Sequence, residues 1–339
     1  MYINGLASIS AQKTYDESFP EEIIHHEGPI FPIQAPPYKE YIPAAQIRRM
    51  GAAVKYGVVA SKMALEQAGN PALDAILTGT GVGCIRDSEQ FLSNLLENDE
   101  QYLTPTAFVQ STHNTVGAQI ALGLGCKAYN LSYVNAASSF EAALYDAHLQ
   151  FKLGEVNNVL VGGVDEKADI TYGLFMQAGL IKKEDGGATY SEGAHFFALG
   201  KEKRDSCAAE ILSVKVQNRV DAEQFPTFIS DFLQRQNISL KDIDVFILGK
   251  NDDPNDQEFN SVFLEMISPE VPVLQYKHLT GEYNTSSGFA VWLGHWVAKN
   301  QAIPEVCKIR GEERQGYRFI LLYNQYRGLD HSLILLRSC

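Results

Sequence analysis

The sequence predicts an α/β fold, with a mostly parallel sheet covered by helices and built as one compact unit from two echoing halves. Three observations carry this. Short, apolar, β-rich runs alternate with longer segments of helix formers, the rhythm of strand–helix–strand units. The rhythm starts again after residue 200. No Gly-, Ser- or Pro-rich linker separates the two passes, so tethered independent domains are not indicated.

After a short apolar start, the proline-rich stretch Tyr15 to Ile42, with GPIFPIQAPP, reads as an extended surface crossing, and regular structure begins beyond it. AAQIRRMGAAVKYGVVASKMALEQAG (44–69) is rich in helix formers and stops at Gly69, and DAILTGTGVG (74–83) is a buried strand entering a Gly-rich turn. A polar helix around Asp87 to Glu97 follows, then a helix from about His113 to Leu122, the strand AYNLSYV, a helix after Ala137 and the strand NNVLVGGVDE. Past YSEGAHFFALGKEKR the second pass runs strand AAEILSVKV, helix QFPTFISDFLQRQ, strand DVFILGK, helix DQEFNSVFLEM, strand VPVLQY and helix GFAVWLGHWVAKN. Two strands, RFILLYNQ and SLILLR, close it. The halves, 1–204 and 205–339, are expected to meet near Lys201 to Cys207.

With 339 residues, 45% hydrophobic and 20% charged, the chain can bury a substantial core without metal or disulfide staples. Its formal net charge of −13 argues against nucleic acid or an anionic membrane as partner, since both demand clustered Lys and Arg. Five scattered cysteines without a CxxC pair indicate neither a zinc site nor a disulfide framework. No leader pattern or membrane-spanning run is present, and a cytoplasmic protein is expected.

The stretch LSYVNAASSFEAAL (131–144) is the most informative. An apolar β-rich run breaks into small residues and then opens an alanine-rich helix, the layout that presents a nucleophile at a strand-to-helix turn. Ala137 stands at that place, so the turn is built and the reactive atom is absent.

In order along the chain, GTGVG (79–83), LTPTAFVQSTHNTVGAQIALGLG, NAASSFEAALYDAHLQFKLGEVNNVLVGGVDE, DGGATYSEGAHFFAL, KHLTGEYNTSSGFAVW and NQYRGLDHSLILL match successive blocks of one family. The chain resembles β-ketoacyl-(acyl carrier protein) synthases of the thiolase-like fold over nearly its whole length, though it is shorter than typical members. That resemblance implies a layered αβαβα core. It also implies a cysteine at the turn that takes the acyl chain from the carrier protein, and two histidines that assist decarboxylation of the extender and stabilise its enolate.

Carried over residue by residue, the roles fall on unsuitable side chains. The cysteine position is Ala137, in Ala136 to Ser139. The second histidine, which follows a glycine, falls on Glu282 after Gly281, a carboxylate that would repel a developing enolate. The first falls at or beside Lys250 in VFILGKNDDPNDQEF, where acidic residues, Asp252 and Asp253 among them, replace the family's glycines. The closing loop of the oxyanion pocket carries Arg327, Leu329 and Asp330 in place of small residues. Lys277, Glu258, Asn114 and the SEGA turn at Ser191 to Ala194 match retained family positions, mainly scaffold. No cofactor or metal is implied.

Other residues invite sharper readings. Ser138 and Ser139 could replace the nucleophile, but an unactivated hydroxyl needs a base and none is indicated, so small residues for a tight turn are favoured. His113 lies on the segment that approaches the family's acyl pocket, and a polar residue at a helix start is the plainer reading. Cys126 stands eleven residues before Ala137 and reads as an inert thiol. GTGVG lacks the acidic partner of a dinucleotide site and reads as close strand–helix packing. Lys277 and Glu282 are expected to form a structural ion pair rather than an acid/base couple.

Three functions fit. A non-catalytic subunit similar to chain-length factors, paired with an active ketosynthase in bacterial type II fatty-acid, polyketide or polyene synthesis, leads because four parts of the site depart together. An atypical acyl-transferring or condensing enzyme using Ser138, His113 or Glu282 is the second, and a stand-alone homodimer binding acyl chains or another ligand is the third. Acyl carrier protein is a possible partner of the first. Family dimers join through the strand before the nucleophile, which makes AYNLSYV the expected pairing edge.

Overall fold

A computed structural model describes residues 1–15, 18–101, 103, 105–181, 189–251, 253 and 256–339. Regular structure begins at once with β1 (Tyr2–Ile9), a correction to the expected late start. Residues 3–9 are buried on both faces, so the strand lacks the one-sided alternation that would have betrayed it. Gly5 lets it lie against helix backbone at Ala64, where a Cβ would collide.

The proline-rich stretch is irregular but not merely a surface crossing. Phe31 and Ile42 are buried, Phe19 packs on Trp292 and Trp296, and the stretch ends in the helical turn α1 (Tyr38–Tyr41). The expected helix over 44–69 is split into α2 (Ala44–Ile47) and α3 (Ala52–Gln67), with extended Gly51 as the N-cap of α3 and Gly69 turning out at φ +71°.

There follow β2 (Ala75–Gly79), α4 (Ile85–Glu97), α5 (Pro105–Gln110), α6 (Thr115–Leu124) and β3 (Tyr129–Tyr133). A 3₁₀ turn (Ala136–Ser138) leads into α7 (Ser139–Leu153), then come β4 (Asn158–Asp165), α8 (Asp169–Gln177) and β5 (Gly193–Gly200). The second pass comprises β6 (Ala209–Asn218), α9 (Phe225–Gln234), β7 (Val245–Leu248), α10 (Gln257–Met266), β8 (Val273–Gln275), α11 (Lys277–Thr280) and α12 (Ser287–Asn300). It ends in β9 (Lys308–Arg310), β10 (Phe319–Tyr326) and β11 (Asp330–Ser338).

Among the described residues the strands run in the order β3-β2-β4-β5-β1-β6-β11-β10-β7-β8-β9. The first five and last six are joined through a single pair, Tyr2 opposite Glu210. Parallel pairing is confined to β3-β2-β4 and β10-β7-β8, and the strands between are antiparallel. The mostly parallel sheet is thereby corrected to a mixed one, because a buried apolar run reads the same whichever way it points.

Three apolar clusters define the layers. Helices α7 and α12 lie in the middle, burying Phe140, Leu144, Phe289 and Trp292 against Leu77, Val161 and Phe197 on one side and Ile247, Leu322 and Leu336 on the other. Helix α3 covers the outer face of the first strand group through Val59 and Leu65. Helices α9 and α10 cover the second through Phe228, Phe232 and Phe263. The alternating faces of each strand thus feed two different layers.

Candidate functional site

Strand β3 delivers the chain to the turn at Ala137. Ala136 sits at φ +47°, an unfavourable value for a residue with a Cβ, and Ala137 is tucked beneath it, 5% exposed. Gly79, at the end of β2, admits the start of α7, since a Cβ there would collide with the backbone of Ser139 and Phe140. Ser139 is consumed by the turn: its Oγ accepts from the Asn135 N–H at 2.9 Å and donates to the Ala136 carbonyl at 2.6 Å. Ser138 is buried, and among the described residues the hydrogen bonds of both serines include no histidine.

A second wall is built from α11 and the loops after β7 and β10. Lys277 Nζ lies 2.7 Å from Glu282 Oε2, with the two side chains 2% and 12% exposed. The same Oε2 accepts from Asn251 Nδ2 at 2.6 Å, and Oε1 accepts from Ser286 Oγ at 3.3 Å. Glu282 is therefore neutralised and tied down by three groups. Lys250 is half-buried directly after β7, and its neighbour Asn251 is the residue that reaches Glu282. The two histidine-equivalent segments do face one another.

Asp256 is the buried acid of this wall. Its Oδ1 accepts from the Arg327 N–H at 2.6 Å, its carbonyl accepts from Gln325 Nε2, and burial pushes the carboxyl up to about 6. Arg327, at φ +53°, reaches Asp253 at 3.6 Å. Glu258, matched to a family glutamate, is exposed in the first turn of α10. Leu329 is 50% exposed and Asp330 is held by Asn218 Nδ2 at 2.6 Å, which places both outside the wall. Asp252 lies outside the described residues.

Behind the turn, one helical turn after Ala137, Glu141 is fully buried on α7. Its Oε1 accepts from Ser332 Oγ at 2.8 Å and from Asn324 Nδ2 at 3.3 Å, and burial raises its carboxyl above the ordinary range. Asn324 also receives the Tyr276 hydroxyl at 3.4 Å and packs against Gly249. A polar chain thus runs from beneath Ala137 to the strand end before Lys250.

The Gly-rich turn after β2 is clasped by acids. Asp165 Oδ1 accepts from Thr80 Oγ1 and from the Gly81 and Val82 N–H groups, and Glu166 accepts from the Ala53 and Arg86 N–H groups. Burial raises Glu166 to about 7. His113 is exposed and packs its ring against Gly83, while Asn114 is exposed at the start of α6 without a side-chain cap bond. His195, which the sequence reading did not single out, is fully buried between Ser8 Oγ (3.0 Å) and Tyr283 OH (2.6 Å), and burial lowers it to about 3, so it is neutral.

Sequence reasoning also missed Glu141 and Asp256. A glutamate in the first turn of a helix ordinarily stays solvated and complements the helix dipole, and Asp256 is one of several acids in its loop. No signal distinguished either. Chemically, the site presents a methyl group where a nucleophile would stand, and at Glu282 a carboxylate already paired with a lysine. No group of His, Cys, Asp or Glu suited to a metal occurs among the described residues.

Residues 32–201 match the family described as beta-ketoacyl synthase, N-terminal domain. Among curated relatives, 3-oxoacyl-[acyl-carrier-protein] synthase I of Arabidopsis thaliana chloroplasts is 31% identical over 143 residues, 40% of this chain and 30% of that protein. The synthase 2 of Mycobacterium leprae is 27% identical over 128 residues, 37% of this chain and 30% of that protein. The chain therefore matches under a third of these relatives' length. Solved structures match throughout. The ishigamide ketosynthase/chain length factor gives a TM-score of 0.83 at 15% identity, over 100% of this chain and 98% of that one. A beta-ketoacyl synthase from Burkholderia phymatum STM815 gives 0.79 at 16%, over 100% and 99%. The Xenorhabdus doucetiae ketosynthase ApeO in complex with its chain length factor ApeC gives 0.77 at 14%, over 100% and 98%. At these identities the likeness establishes the architecture, a thiolase-like α/β fold.

Proposed function

Because the chain belongs to the β-ketoacyl synthase family, we propose that it is a non-catalytic, chain-length-factor-like subunit that pairs with an active ketosynthase in fatty-acid or polyketide synthesis. The observation that carries this is the methyl group of Ala137, buried at an intact nucleophile turn, together with Glu282, at a histidine-equivalent position, neutralised by Lys277. A thioester needs a thiolate, and an enolate needs donors. Ala137 supplies no thiolate, and Glu282 brings an acceptor that already holds the donors nearest it.

Pairing is supported by the sheet edge. Strand β3 ends the strand order with one side unpaired, and Tyr129, Leu131 and Val134 are exposed along it. On the adjoining helix α7, Tyr145, Leu149 and Leu153 are exposed at intervals of four, which lines one helical face. An open edge flanked by an apolar stripe requires cover, and addition of a partner's strand provides it. Among the described residues no helix is long and apolar enough to cross a membrane, so the stripe is not explained that way.

The test is co-expression with an intact ketosynthase encoded beside it, followed by mass measurement of the purified complex. One copy of each chain supports the proposal. A homodimer alone favours the stand-alone ligand binder. Acyl transfer onto Ser138 or Ser139 favours the atypical enzyme.

A further inference from the structure

Two thiols at the seam between the strand groups are close enough to react with each other. Cys207 Sγ and Cys339 Sγ lie 3.1 Å apart, while a covalent S–S bond spans about 2.05 Å. The sequence separates them by most of the second half, so spacing alone could not reveal the pair. Their backbones are already fixed: Cys339 donates its N–H to the Ala208 carbonyl at 2.9 Å, and Ser338 pairs with Ala209 at the end of the β6–β11 ladder. The Cys207 N–H is bonded to the Arg204 carbonyl at 3.0 Å. Cys207 is 7% exposed and Cys339 is open to solvent.

We propose that Cys339 and Cys207 form a thiol–disulfide exchange site whose substrate is a low-molecular-weight disulfide of the glutathione class. Cys339, reachable from solvent, attacks one sulfur of the disulfide as a thiolate and releases one small thiol. Cys207 then gives up its proton and attacks Cys339 Sγ, expelling the second small thiol. In balance, two protein thiols lose two protons and two electrons, and one small disulfide becomes two thiols. The order is set by burial, which pushes the Cys207 thiol up to about 12 and leaves it unable to begin the exchange.

The product closes the segment from the start of β6 to the end of β11, fixing the last strand to the seam. Cys84 and Cys307 are buried, and burial raises both thiols, so neither competes for the oxidant. The inference is independent of the proposed pairing, since it does not involve β3 or the turn at Ala137.

The experiment is incubation of the full chain with oxidised glutathione, followed by intact mass, free-thiol counting and peptide mapping. The expected wild-type result is loss of two hydrogens, a peptide joining Cys207 to Cys339, and a Tm raised by roughly 5 °C and reversed by dithiothreitol. Cys207→Ser should instead accumulate a stable glutathione adduct on Cys339. A persistent adduct on wild-type Cys339, or dimers linked through Cys339, would overturn the proposal. Should the variant not fold, the wild-type peptide map decides alone.

Discussion

Lys277 and Glu282 form a buried ion pair, 2.7 Å between Nζ and Oε2, at the place where the family resemblance puts a histidine. Removing either partner leaves the other charge buried and unpaired, so Lys277→Met or Glu282→Gln should each destabilise the fold by about 3–5 kcal/mol. Replacing both, as Lys277→Met with Glu282→Leu, should cost less than the sum of the single changes. Urea unfolding of the four proteins in a double-mutant cycle measures the coupling, and additive single costs would show the pair to be inconsequential.

Restoring the nucleophile by Ala137→Cys should not restore condensation. The new thiol would stand on a turn with buried Glu141 beneath it, while the opposite wall keeps Glu282, Asp253 and Asp256. These groups bring acceptors whose nearby donors are already engaged, so neither thiolate nor enolate gains the hydrogen-bond donors it needs. A malonyl-consumption assay on the purified variant, free of any intact ketosynthase, should read zero turnover.

Two buried acids contribute to the pH dependence of stability. Burial raises Asp256 from 3.8 to about 6 and Glu166 from 4.5 to about 7, so in both cases the folded state holds its proton more tightly than the unfolded chain. These two carboxyls contribute a loss of stability as pH rises from about 4 through the folded values, opposed over the same interval by the buried histidines His148, His195 and His295, lowered to about 4, 3 and 3, whose contribution grows as pH rises towards 6.5. Asp256→Asn should flatten the lower part of this fall and raise stability at neutral pH by on the order of 2 kcal/mol. Urea midpoints of parent and Asp256→Asn at pH 4, 5, 6 and 7 measure it as a difference that grows with pH, and a constant difference would be inconsistent with the assignment to Asp256.

Leu131→Asp places a charge on the open edge of β3, where Leu131 is 38% exposed. Folding stability should stay within about 0.5 kcal/mol of the parent, since the side chain is not core. Co-purification with the partner should be lost. Retained pairing would move the interface elsewhere.

The residues differ in how much they disclosed. Runs such as VFIL in β7 and FILLYNQY in β10 were legible because length and β-branched content fixed them as buried strands. Tyr2–Ile9 was not, because Asn4 and Gly5 interrupt its apolar pattern. Strand direction was invisible throughout, so the mixed sheet had to be seen. At the site, small residues flanking Ala137 revealed the turn and the five-residue spacing placed Lys277 near Glu282. Glu141 and Asp256 stayed hidden, since an acid's residue type says nothing of its burial.

The central claim is that this chain binds an active ketosynthase without itself carrying an acyl group. Native mass spectrometry of the co-expressed pair after incubation with acyl-loaded carrier protein tests both parts in one spectrum. The predicted result is a one-to-one complex whose acyl mass resides wholly on the ketosynthase. An acyl adduct on this chain, at Ser138, Ser139 or any other residue, would contradict the claim.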